Sequence, residues 1–158
     1  MPLLTTGKGL IRDLEKAGAL ALFTPLEGGY EGRYQRRLRA RGYQSLTITA
    51  RGLGDLGAYL MDIHGVRPPH LGKKNIGREA AVGPVYFIPP VVRYQLETLP
   101  PQSKGLVLWI LEGFVLSDSE RQYLITLTQQ EPRLKVVLEM GGERFVRWQP
   151  LADCLRVA

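Results

Sequence analysis

GLVLWILEGFVLSDSERQYLITLTQQEPRLKVVLEMGG, residues 105–142, decides the fold class. Gly105 to Leu111 is apolar at every position, which suits a strand buried on both faces. Ser117 and Glu120 match a capping box, and Tyr123, Leu124, Leu127 and Thr128 follow at helical spacing. Pro132 stops that helix, because its ring removes an N–H and clashes with the preceding turn. Leu134 to Leu138 is a second strand of the buried type. Gly141-Gly142 turns the chain into a further strand over Arg144 to Trp148, carrying Phe145, Val146 and Trp148. Two doubly buried strands joined through a helix are the pattern of a parallel sheet with helices on its faces.

The upstream half repeats the alternation. Leu10, Ile11, Leu14 and Ala17 predict a helix over Thr5 to Ala17, capped by Thr5 or Thr6 and ended at Gly18. Ala19 to Phe23 is a short apolar strand, broken by Pro25 and Gly28-Gly29. Tyr30, Tyr34 and Leu38 form a stripe on a helix from about Tyr30 to Arg41, with Gly42 as its left-handed stop. Tyr43 to Thr49 is a strand with Leu46 and Ile48 on one face. A helix is expected over Leu53 to Ile63, leaving His64 at its end, where partial positive charge suits the dipole. Val66 to Gly83 has no period and reads as a long basic loop. Val85 to Ile88 is a strand stopped by Pro89-Pro90, and Val91 to Leu99 reads as either a short helix or a strand. The whole predicts a single α/β domain over 1–158, with a mixed, largely parallel sheet covered by helices. The segment from residue 149 to 158 is a candidate extended docking tail.

Composition narrows the function. A chain of 158 residues, 44% hydrophobic and 23% charged, suffices for one buried core. The longest apolar run, Leu106 to Leu111, is far short of the roughly 18 residues a membrane helix needs. Arg12 and Asp13 interrupt the N-terminal pattern, so a signal peptide is not expected. One cysteine, Cys154, excludes an internal disulfide and reads as a packing residue. The net charge of +6 rests on fifteen Arg against six Lys. Arginine favours interfaces, since its planar fork binds carboxylates bidentately.

Each chemical motif competes with a structural reading. Gly52-Leu-Gly-Asp-Leu-Gly57 matches the dinucleotide glycine fingerprint, but no parallel strand ending in an acid follows at the right distance. A tight strand-to-helix turn explains it, and a small nucleotide-binding enzyme is the rival. His64 and His70 lack further ligands at metal-like spacing. Glu112 and Glu139 each follow a buried strand, at the sheet edge where α/β active sites form; ion pairing or strand termination explains them as well. No catalytic, cofactor or metal residue is therefore assigned. Arg33, Arg36, Arg37, Arg39 and Arg41 share the α-helical stretch with Tyr30 and Tyr34. An acidic protein partner, a solvated face or RNA each fits that cluster. In the loop, Arg67, His70, Lys73 and Lys74 flank or follow the stiffening Pro68-Pro69, as Arg78 does further on. The candidate partner interface is thus Arg33, Arg36, Arg37, Arg41, Arg67, His70, Lys73 and Lys74.

Longer runs carry a resemblance. LLTTGKG (Leu3–Gly9), PLEGGYEGRYQRRLRARGY (Pro25–Tyr43), ARGLGDLGAYL (Ala50–Leu60), HGVRPPHLGKK (His64–Lys74), GLVLWILEG (Gly105–Gly113), KVVLEMGG (Lys135–Gly142) and RWQPL (Arg147–Leu151) cover nearly the whole chain. They resemble the subunit N family of the cyanobacterial and plastid NAD(P)H–quinone oxidoreductases. The resemblance implies an accessory, non-catalytic subunit in the hydrophilic arm of a proton-pumping complex that uses iron–sulfur clusters and plastoquinone. It implies a chain that binds no cofactor itself and docks on cluster-bearing and quinone-site subunits. It also implies peripheral placement on the cytoplasmic or stromal side of the thylakoid membrane, without nucleic acid and without a membrane span.

Overall fold

The computed structural model describes residues 2–25, 31–51, 60–61, 64–66, 86–88 and 91–155. The chain divides into two compact units, Met1–Leu53 with Thr98–Ala158, and Gly54–Glu97.

The larger unit holds a five-stranded sheet. Its strands are β1 (Ala19–Phe23), β2 (Tyr43–Thr49), β5 (Gly105–Leu111), β6 (Leu134–Glu139) and β7 (Arg147–Pro150). They lie in the order β2-β5-β6-β1-β7. The first four are parallel, and β7 runs antiparallel to β1. The mixed, largely parallel α/β sheet read from the sequence is therefore the observed one. Six of the seven β5 residues are buried, as are four of the six in β6. Central strands covered on both faces require this, since any polar side chain there would need its own partner.

Side-chain parity sorts the core into two layers. Leu20, Leu22, Val107, Trp109 and Val137 share one face with Tyr43. Helices α1 (Pro2–Ala17) and α2 (Glu31–Ala40) cover it through Leu10, Ile11, Leu14, Tyr34 and Leu38. The opposite face meets α4 (Asp118–Gln130), whose buried residues are Leu124, Leu127 and Thr128. The capping box read from the sequence is present: Ser117 Oγ accepts from the Glu120 amide, and the Glu120 carboxylate accepts from the Ser117 amide.

The smaller unit contains β3 (His64–Val66) paired antiparallel with β4 (Tyr86–Ile88), and α3 (Val91–Glu97). The ambiguous 91–99 segment is thus helical, with Val92 buried on its inner side. His64 opens a strand instead of closing a helix, because its residue pairs with Ile88 across the ribbon. Leu60 and Met61 are helical; the rest of the expected 53–63 helix lies outside the described residues.

Three boundaries shift for identifiable reasons. Helix α1 begins at Pro2, where the missing proline N–H costs nothing in a first turn. Strand β7 begins at Arg147, where pairing with Phe23 starts, leaving Phe145 77% exposed. The segment from residue 149 onward is not an extended tail as far as Leu155. Gln149 and Pro150 finish β7, and Leu151–Cys154 forms a 3-10 turn that buries Leu151 completely. An apolar side chain beside the sheet gains more by burial than an extended segment would.

Candidate partner interface

Helix α2 sorts its residues by spacing. Tyr34 is 2% exposed and Leu38 fully buried, so the stripe faces the core as its period predicts. Arg33, Arg36, Arg37 and Arg39 are exposed on the remaining surface, followed by exposed Arg41. Among the described residues none of these five guanidinium groups forms a salt bridge. Between Glu31 and Asp55 the sequence carries six arginines and no carboxylate. The result is a concentrated positive face on a rigid element.

Tyr34 meets the edge of Trp148, with ring centroids 6.3 Å apart and an interplanar angle of 75°. It is committed to the core and is not placed to stack on a base. This takes Tyr34 out of the basic cluster, while Tyr30 lies outside the described residues.

The carboxyl ends of the parallel strands were the other candidate. Arg51 Nε donates to Glu112 Oε2 at 3.0 Å, and the Arg51 guanidinium lies 5.7 Å from the Phe114 ring centroid. Glu112 adopts the left-handed conformation, with φ 56° and ψ 38°. That is uncommon for a residue with a Cβ, and it turns the carboxylate to Arg51 across an exposed ion pair. Glu139 accepts the indole N–H of Trp109 at 2.9 Å. Both carboxylates therefore have structural partners, the ion pair being the one that residue type and strand-end position suggest. The Arg51–Phe114 contact was not legible in sequence, since the two residues lie on different strands' exits.

Two further contacts fix α1. Trp148 Nε1 donates to Asp13 Oδ2 at 2.8 Å, and Tyr43 donates its hydroxyl to Glu15 at 2.6 Å. The Trp148 hydrogen bond is the main reason the Asp13 carboxyl lies below its usual value; burial opposes it, and Arg12 and Lys16 add smaller lowering effects. Burial, followed by the bond to the Glu15 carboxylate and its charge, pushes the Tyr43 phenol well above its usual value. Asp13, Lys16, Leu20, Trp148 and Pro150 line an open cleft of about 510 Å³ beside these contacts. It offers a single carboxylate, already engaged by Trp148, and no nucleophile–base pair.

Of the interface residues expected from sequence, Arg33, Arg36, Arg37 and Arg41 lie together on or just after α2. Arg67, His70, Lys73 and Lys74 lie outside the described residues, as do Gly52 to Gly57 of the glycine motif and all but Val66 of the 66–83 loop. Cys154 is half-buried, with Gln149 Nε2 2.9 Å from its sulfur. Among the described residues, no three His, Cys, Asp or Glu side chains come together as a metal site. No helix among them is long and apolar enough to cross a membrane.

Residues 1–153 match the family model for NADH-quinone oxidoreductase cyanobacterial subunit N. The chain is 76% identical over 158 residues to the NAD(P)H-quinone oxidoreductase subunit N of Microcystis aeruginosa, covering all of both chains. It is 68% identical over 158 residues to the protein of the same name from Synechocystis, covering all of this chain and 98% of the other. The Nostoc punctiforme protein of that name is 66% identical over 155 residues, with 98% of each chain covered.

Proposed function

Since the chain belongs to the cyanobacterial subunit N family of NADH-quinone oxidoreductase, and is thereby a subunit of that complex, we propose that it serves there as an accessory, non-catalytic component. In this reading it docks on neighbouring subunits of the hydrophilic arm and stabilises their assembly, while other chains carry the iron–sulfur clusters and the plastoquinone site. It binds no cofactor of its own and sits peripherally at the thylakoid membrane, held by its partners on the cytoplasmic side. The complex couples electron transfer to proton pumping; this chain contributes scaffold to that process.

The observation that supports this reading is the arginine face of α2. A rigid helix anchored by Tyr34 and Leu38 presents Arg33, Arg36, Arg37, Arg39 and Arg41 to solvent. Arginines on a preorganised helix suit carboxylates of a partner protein, because little side-chain order remains to be imposed on binding. The strand-end carboxylates support it too, since Glu112 and Glu139 are engaged in structural contacts.

Affinity purification of the tagged chain from gently solubilised membranes, with mass spectrometry of its companions, tests the role. The wild-type chain is expected to bring down quinone-oxidoreductase subunits in stoichiometric amounts. The Arg36→Glu/Arg37→Glu variant is expected to fold and to lose them. Retention of the complex by that variant would remove α2 from the interface. Recovery of the wild-type chain alone, or with RNA, would overturn the accessory role.

A further inference from the structure

The two edges of the five-stranded sheet differ in a way that points outward from this chain. At one edge, β7 has four residues, begins with Arg147 and ends with Pro150, which has no N–H to offer. Short length, charge and proline are the usual protections of a sheet edge. At the other edge, β2 runs for seven residues, Tyr43-Gln-Ser-Leu-Thr-Ile-Thr49, with no charge and no proline. Among the described residues its one strand neighbour is β5.

The ladder phase says which backbone groups of β2 do not serve β5. Ala50 donates its N–H to the Leu111 carbonyl at 2.9 Å, in the register that pairs Thr49 with Leu111. In a parallel ladder alternate residues turn both backbone groups to the same neighbour. Gln44, Leu46 and Ile48 therefore serve β5, and Ser45, Thr47 and Thr49 turn their N–H and C=O groups away from it. Those outward residues are accessible: Thr47 and Thr49 are exposed. Ser45 keeps part of its surface even though its Oγ is buried without a hydrogen-bond partner, so that exposure belongs to its backbone and Cβ.

The arginine helix runs along this edge. Gln35 Nε2 donates to Thr47 Oγ1 at 3.1 Å, and Arg39 stands one turn after Gln35 on the same side of α2. Arg36 lies next to that stripe, exposed. A second copy of this chain would bring the same arginines against themselves across a paired β2 edge, which like-charge repulsion opposes.

We infer that the β2 edge accepts an extended, carboxylate-bearing segment of a neighbouring protein subunit as an added strand, with Arg36 and Arg39 meeting its acidic side chains. Main-chain hydrogen bonds to Ser45, Thr47 and Thr49 supply the attachment, and the arginines supply the selectivity. The inference rests on the proposed role of the chain as a partner-held subunit, and names how one partner is held.

Hydrogen exchange of the free chain and of the purified complex tests it, together with two variants at one position. In the free chain the amides of Ser45, Thr47 and Thr49 exchange rapidly while those of Gln44, Leu46 and Ile48 are protected. In the complex the three outward amides slow by about tenfold or more, the scale of even one added backbone bond. Thr47→Pro removes an outward N–H without touching the β5 ladder, and is expected to fold yet lose about tenfold in recovery of the complex. Thr47→Val, which also lacks the Gln35 contact but keeps the N–H, is expected to assemble as the wild type does. Assembly with the outward amides still exchanging freely, or equal loss from both variants, overturns the added strand and leaves the accessory role intact. Protection of those amides in a homodimer of the free chain assigns the edge to a second copy and overturns the acidic partner. Failure of the wild-type chain to assemble at all overturns the accessory role, and this inference with it.

Discussion

Trp109 donates its indole N–H to the Glu139 carboxylate at 2.9 Å, joining β5 to β6 two residues beyond the Trp109–Val137 register pair. The indole is fully buried at the centre of the sheet, so its one donor has to find an acceptor from the protein. Strand-end position alone makes Glu139 a candidate for acid–base chemistry; the contact gives it a structural task.

Glu139→Ala leaves that donor unsatisfied, and is expected to destabilise the chain by about 1–3 kcal/mol. Glu139→Gln keeps an acceptor oxygen and should lose markedly less. Urea unfolding midpoints of the two variants, compared at equal m-values, check the order.

The Asp13–Trp148 contact predicts the acid limb of stability. The folded carboxyl is held below its ordinary value, so near that value the unfolded chain binds more protons. Its contribution is present above the usual carboxylate range and is lost as pH falls below it. Trp148→Phe removes the largest cause, and should flatten stability against pH between about pH 5 and pH 3. Unchanged slopes in that variant would assign the acid limb to other groups.

Tyr43 governs the alkaline side with the opposite sign. Burial and the Glu15 contact keep its phenol neutral in the folded chain while the unfolded phenol ionises near pH 10. Stability is therefore full below about pH 10 and declines as pH rises beyond it. Phenolate absorbance should show a tyrosine that ionises only on unfolding. Tyr43→Phe should take one tyrosine out of that class and soften the decline.

Gly105 and Gly141 make a paired test of backbone freedom. A Cβ at Gly105, where φ is 154°, would run into the Arg133 carbonyl oxygen; at Gly141, with φ 71°, it would meet nothing. Gly141→Ala is expected to cost about 1–2 kcal/mol from the left-handed conformation alone. Gly105→Ala should cost more, since neither backbone can give way without breaking the β5 start. Thermal midpoints of the two variants decide it.

Removing the cap of α4 tests the clearest local signal in the sequence. Ser117→Ala loses the side-chain acceptor for the Glu120 amide, and should cost about 0.5–2 kcal/mol. Ser117→Asp, which retains an acceptor, should restore most of it.

The sequence by itself determined what depends on neighbours along the chain. Wholly apolar β5 and the apolar run Val136–Leu138 of β6 marked central strands, Ser117 and Glu120 marked a helix start, and Tyr34 and Leu38 set which side of α2 faces inward. With those elements alternating, a largely parallel sheet followed, and so did the exposure of Arg33, Arg36 and Arg37. Tertiary structure decided what depends on residues far apart in sequence. Trp148 reaches Asp13 across 135 positions, Arg51 finds Glu112 and Phe114, and β7 starts late because its register with β1 is set by Phe23 and Leu22. It also decided which strands form the edges, and hence that, among the described residues, the uncharged β2 pairs with β5 alone. Periodicity reports which face of an element is apolar; only the packed chain fixes which neighbour, if any, that element's hydrogen bonds will meet.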